Sequence, residues 1–291
     1  MTSSVPNRRS SRPPAGGERR QFQPDVVLTI AGSDSGGGAG IQADLRTFAA
    51  LGVHGACALT AVTAQNTAEV RSVHPLPPEV VDAQIEAVLA DLDVAAVKTG
   101  MLATTAIAEV VAGRARAGEL PNLVVDPVLV ASSGGRLFDT TFESAYLDLL
   151  FPVAGVVTPN LAEAEVLLGR QVGTVDEMAE AAEELAKTGA GAVVVKGGHL
   201  PAAEAVDVVW HAGAVIELRR PWVPTANNHG TGCSFASATA AGLARGRPVL
   251  RALEEAKDFV TTALAGGAAW HLGAGHGPLD HMGWTSQKEA P

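Results

Sequence analysis

The sequence has few aromatic residues, only two cysteines and no long apolar run. Aromatic residues make up 4% of the 291 positions, and the formal net charge of -10 disfavours nucleic acid or an anionic membrane as partner. Cys57 and Cys233 belong to no C-x-x-C motif or Cys/His cluster, which excludes a disulfide framework or a zinc site and favours the reducing cytoplasm. No stretch approaches the roughly 18 to 20 apolar residues that span a bilayer, so we expect neither a membrane span nor a secretion signal.

The two ends of the chain differ in composition from its centre. Residues 1–24 are rich in Ser, Pro and Arg with a single acid, Glu18, and this composition predicts a disordered N-terminal tail. An organelle transit peptide is the alternative, but Pro13-Pro14 and the lack of apolar residues disfavour its amphipathic helix. We predict a single domain over 25–283 and a frayed C-terminus over 284–291.

Apolar runs of strand length alternate with amphipathic segments of helix length from residue 25 onward. Predicted strands are 26–31, 56–62, 95–98, 123–125, 156–158 and 193–196. Predicted helices are 41–51, 78–90, 105–117, 140–150, 161–168, 175–187, 233–244 and 248–269. This alternation predicts an α/β protein, a three-layer α/β/α sandwich with a mostly parallel central sheet. A hairpin of 206–211 and 215–218 predicts antiparallel strands at one sheet edge, and ligands are expected at the carboxyl ends of the parallel strands.

The stretch 227–233 reads as an anion-binding helix start. Gly230 and Gly232 let the backbone around Thr231 turn its N–H groups toward one point, and the following helix adds its positive end. The same helix end lowers the pKa of a thiol, so Cys233 is a candidate base. The alternative is a tight turn followed by a small buried cysteine.

Two further polar clusters follow predicted strands. The glycine-rich stretch 32–40 matches neither G-x-G-x-x-G nor a P-loop, so it is a ligand loop or a flexible turn. Asp44 lies in the first turn of the next helix. The carboxamide of Gln65 both donates and accepts, which suits an aminopyrimidine edge, although such an amide also caps turns.

Carboxylates and a lysine follow the later strands. Asp126 and Glu163 offer oxygen ligands that suit Mg²⁺ together with substrate phosphates. Asn160 and Glu163 also fit a capping box at a helix start, which local sequence favours. Lys196 is suited to nucleotide phosphates or is a solvated lysine at a strand end.

These motifs together resemble the hydroxymethylpyrimidine/phosphomethylpyrimidine kinases of thiamine biosynthesis, members of the ribokinase-like superfamily. The resemblance covers about 26–278 and is carried by the motifs at 28–44, 63–67, 98–102, 158–163, 196–199 and 229–233. The sequence differs from the usual pattern of this family at Asn227-Asn228, where Asn-Thr is usual.

The resemblance implies a ribokinase-like fold and ATP-dependent, Mg²⁺-requiring phosphorylation. The substrates would be 4-amino-5-hydroxymethyl-2-methylpyrimidine and then its monophosphate. By the same resemblance Gln65 recognises the pyrimidine, the substrate pocket is lined by Gly32, Ala39, Asp44 and Met101, Cys233 is the base, and Gly230, Thr231 and Gly232 complete the anion hole. Asn160 and Glu163 are associated with Mg²⁺, Asp126 with metal and phosphate, and Lys196 with the nucleotide phosphates. Relatives are often dimers, so we expect a homodimer.

Two rival functions remain open. A pyridoxal or pyridoxine kinase shares the superfamily, the anion hole and the N-x-x-E motif, but Gln65 and Met101 favour the pyrimidine. A noncatalytic pyrimidine-binding protein would not need Asp126, Lys196 and Cys233 together.

Overall fold

The fold is known from a computed structural model that describes residues 23–129, 142–198 and 204–289. Its central feature is a mixed sheet in which these residues contribute nine strands. The strands are β1 (Val26–Asp34), β2 (His54–Gln65), β3 (Val70–Pro75), β4 (Val94–Thr99), β5 (Val124–Val125), β6 (Val156–Val157), β7 (Ala192–Lys196), β8 (Glu204–His211) and β9 (Ala214–Pro221). Their order is β3-β2-β1-β4-β5-β6-β7-β8-β9, parallel from β2 to β7 and antiparallel at β3, β8 and β9.

Helices cover both faces of this sheet. They are α1 (Gly40–Ala50), α2 (Pro78–Asp91), α3 (Thr105–Arg116), α4 (Phe142–Ala145), α5 (Leu161–Leu168), α6 (Val175–Ala186), α7 (Thr231–Ala244), α8 (Val249–Gly267) and α9 (Trp284–Glu289). Leu28 and Ile30 of β1 pack with residues of α2 to α6, whereas Val27 packs with residues of α1, α7 and α8. This alternation along one strand explains why the buried strands read as continuous apolar runs, because both of their faces lie in a core.

Small residues allow α7 to lie deep in the second core. Its residues 234–243 are all buried, and a Cβ on Gly242 would lie only 2.8 Å from Ala252 Cβ of α8. Two helices can approach this closely only where the side chains between them are small. The composition of α7 thus brings its first turn to the carboxyl edge of the sheet.

The predicted fold class, all six predicted parallel strands and the hairpin are confirmed. Strand β3 was not predicted. The helix predicted over 140–150 is, within the described residues, the short α4 followed by a π-helical turn at Tyr146–Leu150. Helix α7 begins at Thr231, two residues earlier than predicted. No described helix is both long and apolar enough to span a bilayer.

The predicted frayed C-terminus differs from the structure over Trp284–Glu289, which form α9. The carboxylate of Asp280 accepts the backbone N–H groups of Trp284 and Thr285, and the ring of Trp284 stacks on Trp270 at 6.0 Å. These contacts satisfy donors that a helix start leaves unpaired. The predicted tail lies, over residues 1–22, outside the described residues, as does His199.

Candidate active site

A cavity of about 750 Å³ opens at the carboxyl edge of the parallel strands. Its size is within the ordinary range for small-molecule sites. Twelve of the thirteen predicted site residues line it: Gly32, Ala39, Gln65, Met101, Asp126, Asn160, Glu163, Lys196, Gly230, Thr231, Gly232 and Cys233. Residues from seven separate parts of the chain therefore meet at the edge where ligands were expected.

Asp44 was predicted to line the substrate pocket, and the structure corrects this. Its side chain is fully buried beneath the cavity, where Lys98 Nζ lies 2.9 Å from Oδ2 and 3.0 Å from Oδ1. The hydroxyl groups of Thr29 and Ser237 donate to the same carboxylate at 2.6 and 2.7 Å. The carboxylate is thus fully engaged by the protein, as a buried charge must be. Asp44 supports the floor of the site and does not face its contents.

Glycines let the loop after β1 approach its neighbours closely. A Cβ on Gly32 would lie 2.4 Å from Met101 Cε, and one on Gly40 would lie 2.4 Å from the carbonyl oxygen of Gly32. Gly40 also has a positive φ of 56°, which disfavours other residues. The glycines of this stretch are therefore required by packing at the cavity wall, so the flexible-turn alternative does not describe them.

The start of α7 has the geometry predicted for an anion site. Gly230 precedes the helix with φ 87°, and a Cβ there would lie 1.9 Å from the carbonyl oxygen of Gly38. Among the described residues, no group accepts the backbone N–H of Gly232 or Cys233. Unpaired N–H groups at the positive end of a helix favour a bound anion.

The thiol of Cys233 does not have the lowered pKa that the sequence predicted. Burial, together with the carboxylates of Asp44 and Asp126, raises its pKa to about 11. Lys98 and the backbone N–H of Gly40 oppose this shift without reversing it. Cys233 is half-buried and lines the cavity, but the surrounding protein favours the neutral thiol.

Asp126 and Lys196 form an ion pair opposite the start of α7. Lys196 Nζ donates to Asp126 Oδ1 at 2.8 Å, and Thr158 Oγ1 donates to the same oxygen at 2.9 Å. Burial alone would lower the pKa of Lys196, but Asp126 and Glu163 raise it above its ordinary value. A Cβ on Gly232 would lie 3.0 Å from Lys196 Nζ and 3.7 Å from Asp126 Oδ2. Glycine at this position leaves space between the helix start and the ion pair.

The capping box predicted at Asn160 and Glu163 is present. Asn160 Oδ1 accepts the N–H of Glu163 at 2.9 Å, and Glu163 Oε2 accepts the N–H of Asn160 at 2.8 Å. Glu163 is also buried at the cavity, and burial together with the negative charge of Asp126 raises its pKa to about 8 against the influence of Lys196. The same two residues thus cap α5 and place a carboxyl group in the cavity wall.

The described carboxylates fit a magnesium ion that is shared with phosphates. No group of three or more His, Cys, Asp or Glu side chains in these residues is arranged to hold a metal on its own. Mg²⁺ is usually held by one or two carboxylates, waters and phosphate oxygens. Asp126 and Glu163, together with the space that Gly232 leaves, meet that requirement.

Two pairs of polar residues in the cavity wall were not assigned a role from the sequence. Asp34 accepts the N–H groups of Gly36, Gly38 and Ala39 at 2.8 to 3.0 Å, and its Oδ2 lies 3.0 Å from Nε2 of His229. The two side chains come from positions 195 residues apart, so no local pattern could pair them. A buried pair formed by Lys257 Nζ and Asp207 Oδ2 at 2.7 Å also lines the cavity.

A helix start with unpaired N–H groups, facing a lysine and two carboxylates in the cavity that also contains the Gln65 amide, fits a phosphoryl-transfer enzyme. The family model for phosphomethylpyrimidine kinase matches residues 34–280. The chain belongs to this family.

Similarity to individual proteins agrees with the family. A hydroxymethylpyrimidine/phosphomethylpyrimidine kinase of Rhizobium meliloti is 48% identical over 259 residues, which are 88% of this chain and 97% of that protein. The structure of a Bacillus subtilis pyridoxal kinase in an ADP complex matches with a TM-score of 0.84 and 38% identity, covering 90% of this chain and 99% of that one. A phosphomethylpyrimidine kinase of Clostridium difficile matches with a TM-score of 0.73 and 38% identity, covering 82% and 99%.

Proposed function

We propose that this protein transfers the γ-phosphoryl group of ATP to 4-amino-5-hydroxymethyl-2-methylpyrimidine, and then a second one to the resulting monophosphate. The observation that carries this proposal is that one cavity contains both the Gln65 carboxamide and the helix start at Gly230–Cys233. The amide suits an aminopyrimidine edge, and the helix start suits a transferring phosphoryl group. The naming of the relatives supports the same two reactions of thiamine biosynthesis.

The pyrimidine is bound at the end of the cavity near Gln65. Gly32, Ala39 and Met101 form the adjacent wall, where the absence of a side chain on Gly32 leaves room for Met101. Asp44 acts from below through its ion pair with Lys98 and has no direct contact with the ring in this proposal. The hydroxymethyl group then points toward the first turn of α7.

The nucleotide phosphates are bound between Lys196 and the start of α7. Lys196 offers a positive charge to the phosphates. Asp126 and Glu163 would hold Mg²⁺, and Asn160 fixes the position of Glu163 through the capping box. When bound, the metal ion neutralises charge on the phosphate oxygens during transfer. The space at Gly232 lets a phosphoryl group approach the ion pair.

In the first reaction the substrate hydroxyl oxygen attacks the γ-phosphorus, the bond to the bridging oxygen of ADP breaks, and the hydroxyl proton passes to the base. The N–H groups of Gly232 and Cys233, with the backbone of Gly230 and Thr231, stabilise the charge that develops on the phosphoryl oxygens. Cys233 remains the candidate base. A pKa of about 11 leaves roughly one thiol in 10⁴ ionised at pH 7, so its contribution is expected to increase with pH.

A pyridoxal kinase is the second candidate, because the structural similarity to a pyridoxal kinase is high. Both substrates carry a hydroxymethyl group on a heteroaromatic ring. Pyridoxine lacks the adjacent ring nitrogen and amino group that would match both halves of the Gln65 amide. We therefore place the pyrimidine first.

Product analysis separates these candidates. The pyrimidine alcohol and pyridoxine are each incubated with the protein and Mg-ATP under identical conditions, and the products are identified by mass spectrometry. We expect the pyrimidine mono- and diphosphates, and far less pyridoxine phosphate. Preferential phosphorylation of pyridoxine would reverse the assignment. Binding of the pyrimidine in calorimetry with no product of either kind would identify a noncatalytic binding protein.

We further propose that residues 25–283 act as a single domain, and that the protein is a cytoplasmic homodimer that binds no nucleic acid. The net charge of -10 and the small number of cysteines support the cytoplasmic assignment and the lack of nucleic-acid binding. The resemblance to a family whose members are often dimers supports the homodimer. Light scattering after size-exclusion chromatography would give twice the chain mass for a dimer, and the chain mass itself would exclude one.

A further inference from the structure

The side chain of Gln65 is contacted on two sides by residues of the cavity wall. Thr63 Oγ1 lies 3.2 Å from Gln65 Oε1, and Gln65 Nε2 lies 3.2 Å from Nε2 of His229. The oxygen and nitrogen of a carboxamide have nearly the same shape. Which of them faces each neighbour is therefore decided by the protons that the neighbours carry.

Thr63 has a single hydroxyl proton, and a second acceptor competes for it. Its Oγ1 lies 2.9 Å from the carbonyl oxygen of Ser33, which can only accept. The proton is donated to Ser33, since the same proton cannot also be donated at the longer distance to Gln65. The hydroxyl then presents a lone pair to the amide. That lone pair requires the NH₂ group of Gln65 on this side.

His229 imposes the same choice from the other side. Burial alone would raise the pKa of Asp34, but His229 and the N–H groups of Ala39 and Gly36 hold it below its ordinary value, so the carboxylate is ionised and only accepts. Because Oδ2 of Asp34 lies 3.0 Å from His229 Nε2, that nitrogen carries a proton. With its proton directed at Asp34, Nε2 has no lone pair to accept an N–H of Gln65, so the NH₂ group is disfavoured on this side and the amide oxygen lies there. Both neighbours thus select the same orientation.

In the distances given above, Gln65 Oε1 faces Thr63 and Nε2 faces His229. We propose that Thr63 and the Asp34–His229 pair are positioning residues that hold the Gln65 amide in the opposite orientation, rotated by 180°. Its NH₂ group faces Thr63 and its oxygen faces His229. The outward edge of the amide then offers one N–H and one lone pair in a fixed order. This inference rests on the proposed function, since it takes the aminopyrimidine as the substrate.

The fixed order of donor and acceptor makes the site selective. The ring nitrogen of a 4-aminopyrimidine accepts and its amino group donates. In the corresponding pyrimidin-4-one the ring N–H donates and the carbonyl accepts. The ring cannot turn over to restore the match, because its hydroxymethyl group must point toward α7. The site therefore accepts the amino compound and rejects the 4-oxo compound.

The test measures this selectivity in variants that leave Gln65 in place. His229→Phe keeps a ring but removes the N–H, Thr63→Val removes the hydroxyl at constant shape, and His229→Gln restores an N–H donor. For each, the KM of the aminopyrimidine alcohol, the KM of ATP and the inhibition constant of 5-hydroxymethyl-2-methylpyrimidin-4-one are measured. We expect His229→Phe and Thr63→Val to reduce the preference for the amino compound by about 10-fold or more, with the KM of ATP within about twofold. His229→Gln should retain most of the preference.

The double variant locates the effect. With Gln65→Ala already present, adding His229→Phe should not change the remaining preference. The inference is wrong if both single variants keep the wild-type preference, if the KM of ATP rises in parallel, or if His229→Phe acts equally strongly without Gln65. Thr63→Val carries the test if His229→Phe does not fold. Failure of the wild-type protein to phosphorylate the aminopyrimidine would instead refute the proposed function, before any variant is compared.

Discussion

The backbone N–H of Gly40 acts on the thiol of Cys233 and favours its ionised form. Gly40 is the first residue of α1 and Cys233 lies in the first turn of α7, so the positive ends of two helices meet at this sulfur. Helix starts stabilise a thiolate, yet burial and two nearby carboxylates raise the pKa of Cys233 to about 11. The thiol is therefore neutral at pH 7 and becomes a base only as the pH rises.

We predict that Cys233→Ala slows the first phosphorylation far more than the second. The first nucleophile is an alcohol that must lose its proton, and general-base help is worth about 10² to 10⁴ in rate when the base is ionised, so the difference between the two steps should be clearest at alkaline pH. The second is a phosphate monoester with a second pKa near ~6, already mostly dianionic at pH 7. Cys233→Asp should recover part of the first rate. Single-turnover rates of both steps measure this, with Cys57→Ala as the control at a cysteine outside the cavity lining. A similar loss in both steps would mean that Cys233 shapes the site.

The pH dependence of the same variant gives a second prediction. Below a pKa of about 11, the ionised fraction of a thiol increases about tenfold per pH unit. The ratio of wild-type to Cys233→Ala rates for the first step should therefore increase from pH 7 to pH 9. Rates of the first step at several pH values measure this ratio. A ratio that stays constant over this range would exclude the thiolate as the base.

We predict that Gln65→Ala weakens pyrimidine binding and leaves ATP affinity nearly unchanged. The substitution removes a hydrogen-bonded pair at the pyrimidine end alone, which costs ~1 to 3 kcal/mol. Titration calorimetry with each ligand measures the two affinities. Gln84→Ala is the matched control, since the Gln84 amide bonds to the backbone of Leu59 and does not line the cavity. Equal losses for both ligands in Gln65→Ala would contradict the assignment.

Glu163→Gln is predicted to raise the Mg²⁺ concentration required for activity. The neutral amide can still accept the N–H of Asn160, so the cap of α5 is retained, whereas the amide cannot ionise to supply the carboxylate that would hold the metal. Activity is titrated with Mg²⁺ at saturating ATP. Glu165→Gln, a substitution of the same kind on the same helix, controls for a general loss of helix stability. An unchanged Mg²⁺ titration in Glu163→Gln would remove Glu163 from the metal site.

The stability of the protein should decrease in mild acid because of His281. Burial, together with the positive charge of Arg46, lowers the pKa of this imidazole from 6.5 to about 4. Between these values the unfolded chain binds a proton that the folded chain does not, so stability is present above pH 6.5 and lost as the pH falls toward 4. The slope is at most about 1.4 kcal/mol per pH unit. Urea unfolding at several pH values should show a smaller loss in His281→Gln than in the exposed control His271→Gln. Identical profiles would show that His281 does not contribute.

The parallel strands and the position of the site were predictable because their signals are local. Apolar runs that end in glycine or polar residues indicate buried parallel strands, and the carboxyl ends of such strands meet at one edge. Strand β3 carried no such signal. It is largely exposed and pairs only with β2 at the sheet edge, so its extended conformation depends on that pairing.

The partners of the buried charges were not predictable in the same way. Asp44 is three residues after Ile41 and four before Phe48, so helical spacing places it on the buried face of α1, a signal that the sequence contained. Its pairing with Lys98 depends on the packing of α1 against β4 and not on local pattern. The raised pKa of Cys233 has the same origin, because it follows from burial and from carboxylates on other elements.

The close contact between Gly38 and Gly230 also constrains when the site forms during synthesis. The glycine-rich loop leaves the ribosome early, but the residues just before α7 that it contacts follow almost 200 residues later. Asp34 and His229, for example, are 195 positions apart. Domains form as units once their sequence is available, at about 5–20 residues per second. For roughly ten seconds or longer the nascent chain therefore has its first strand and loop without a binding pocket. Neither substrate can assist folding until α7 has emerged.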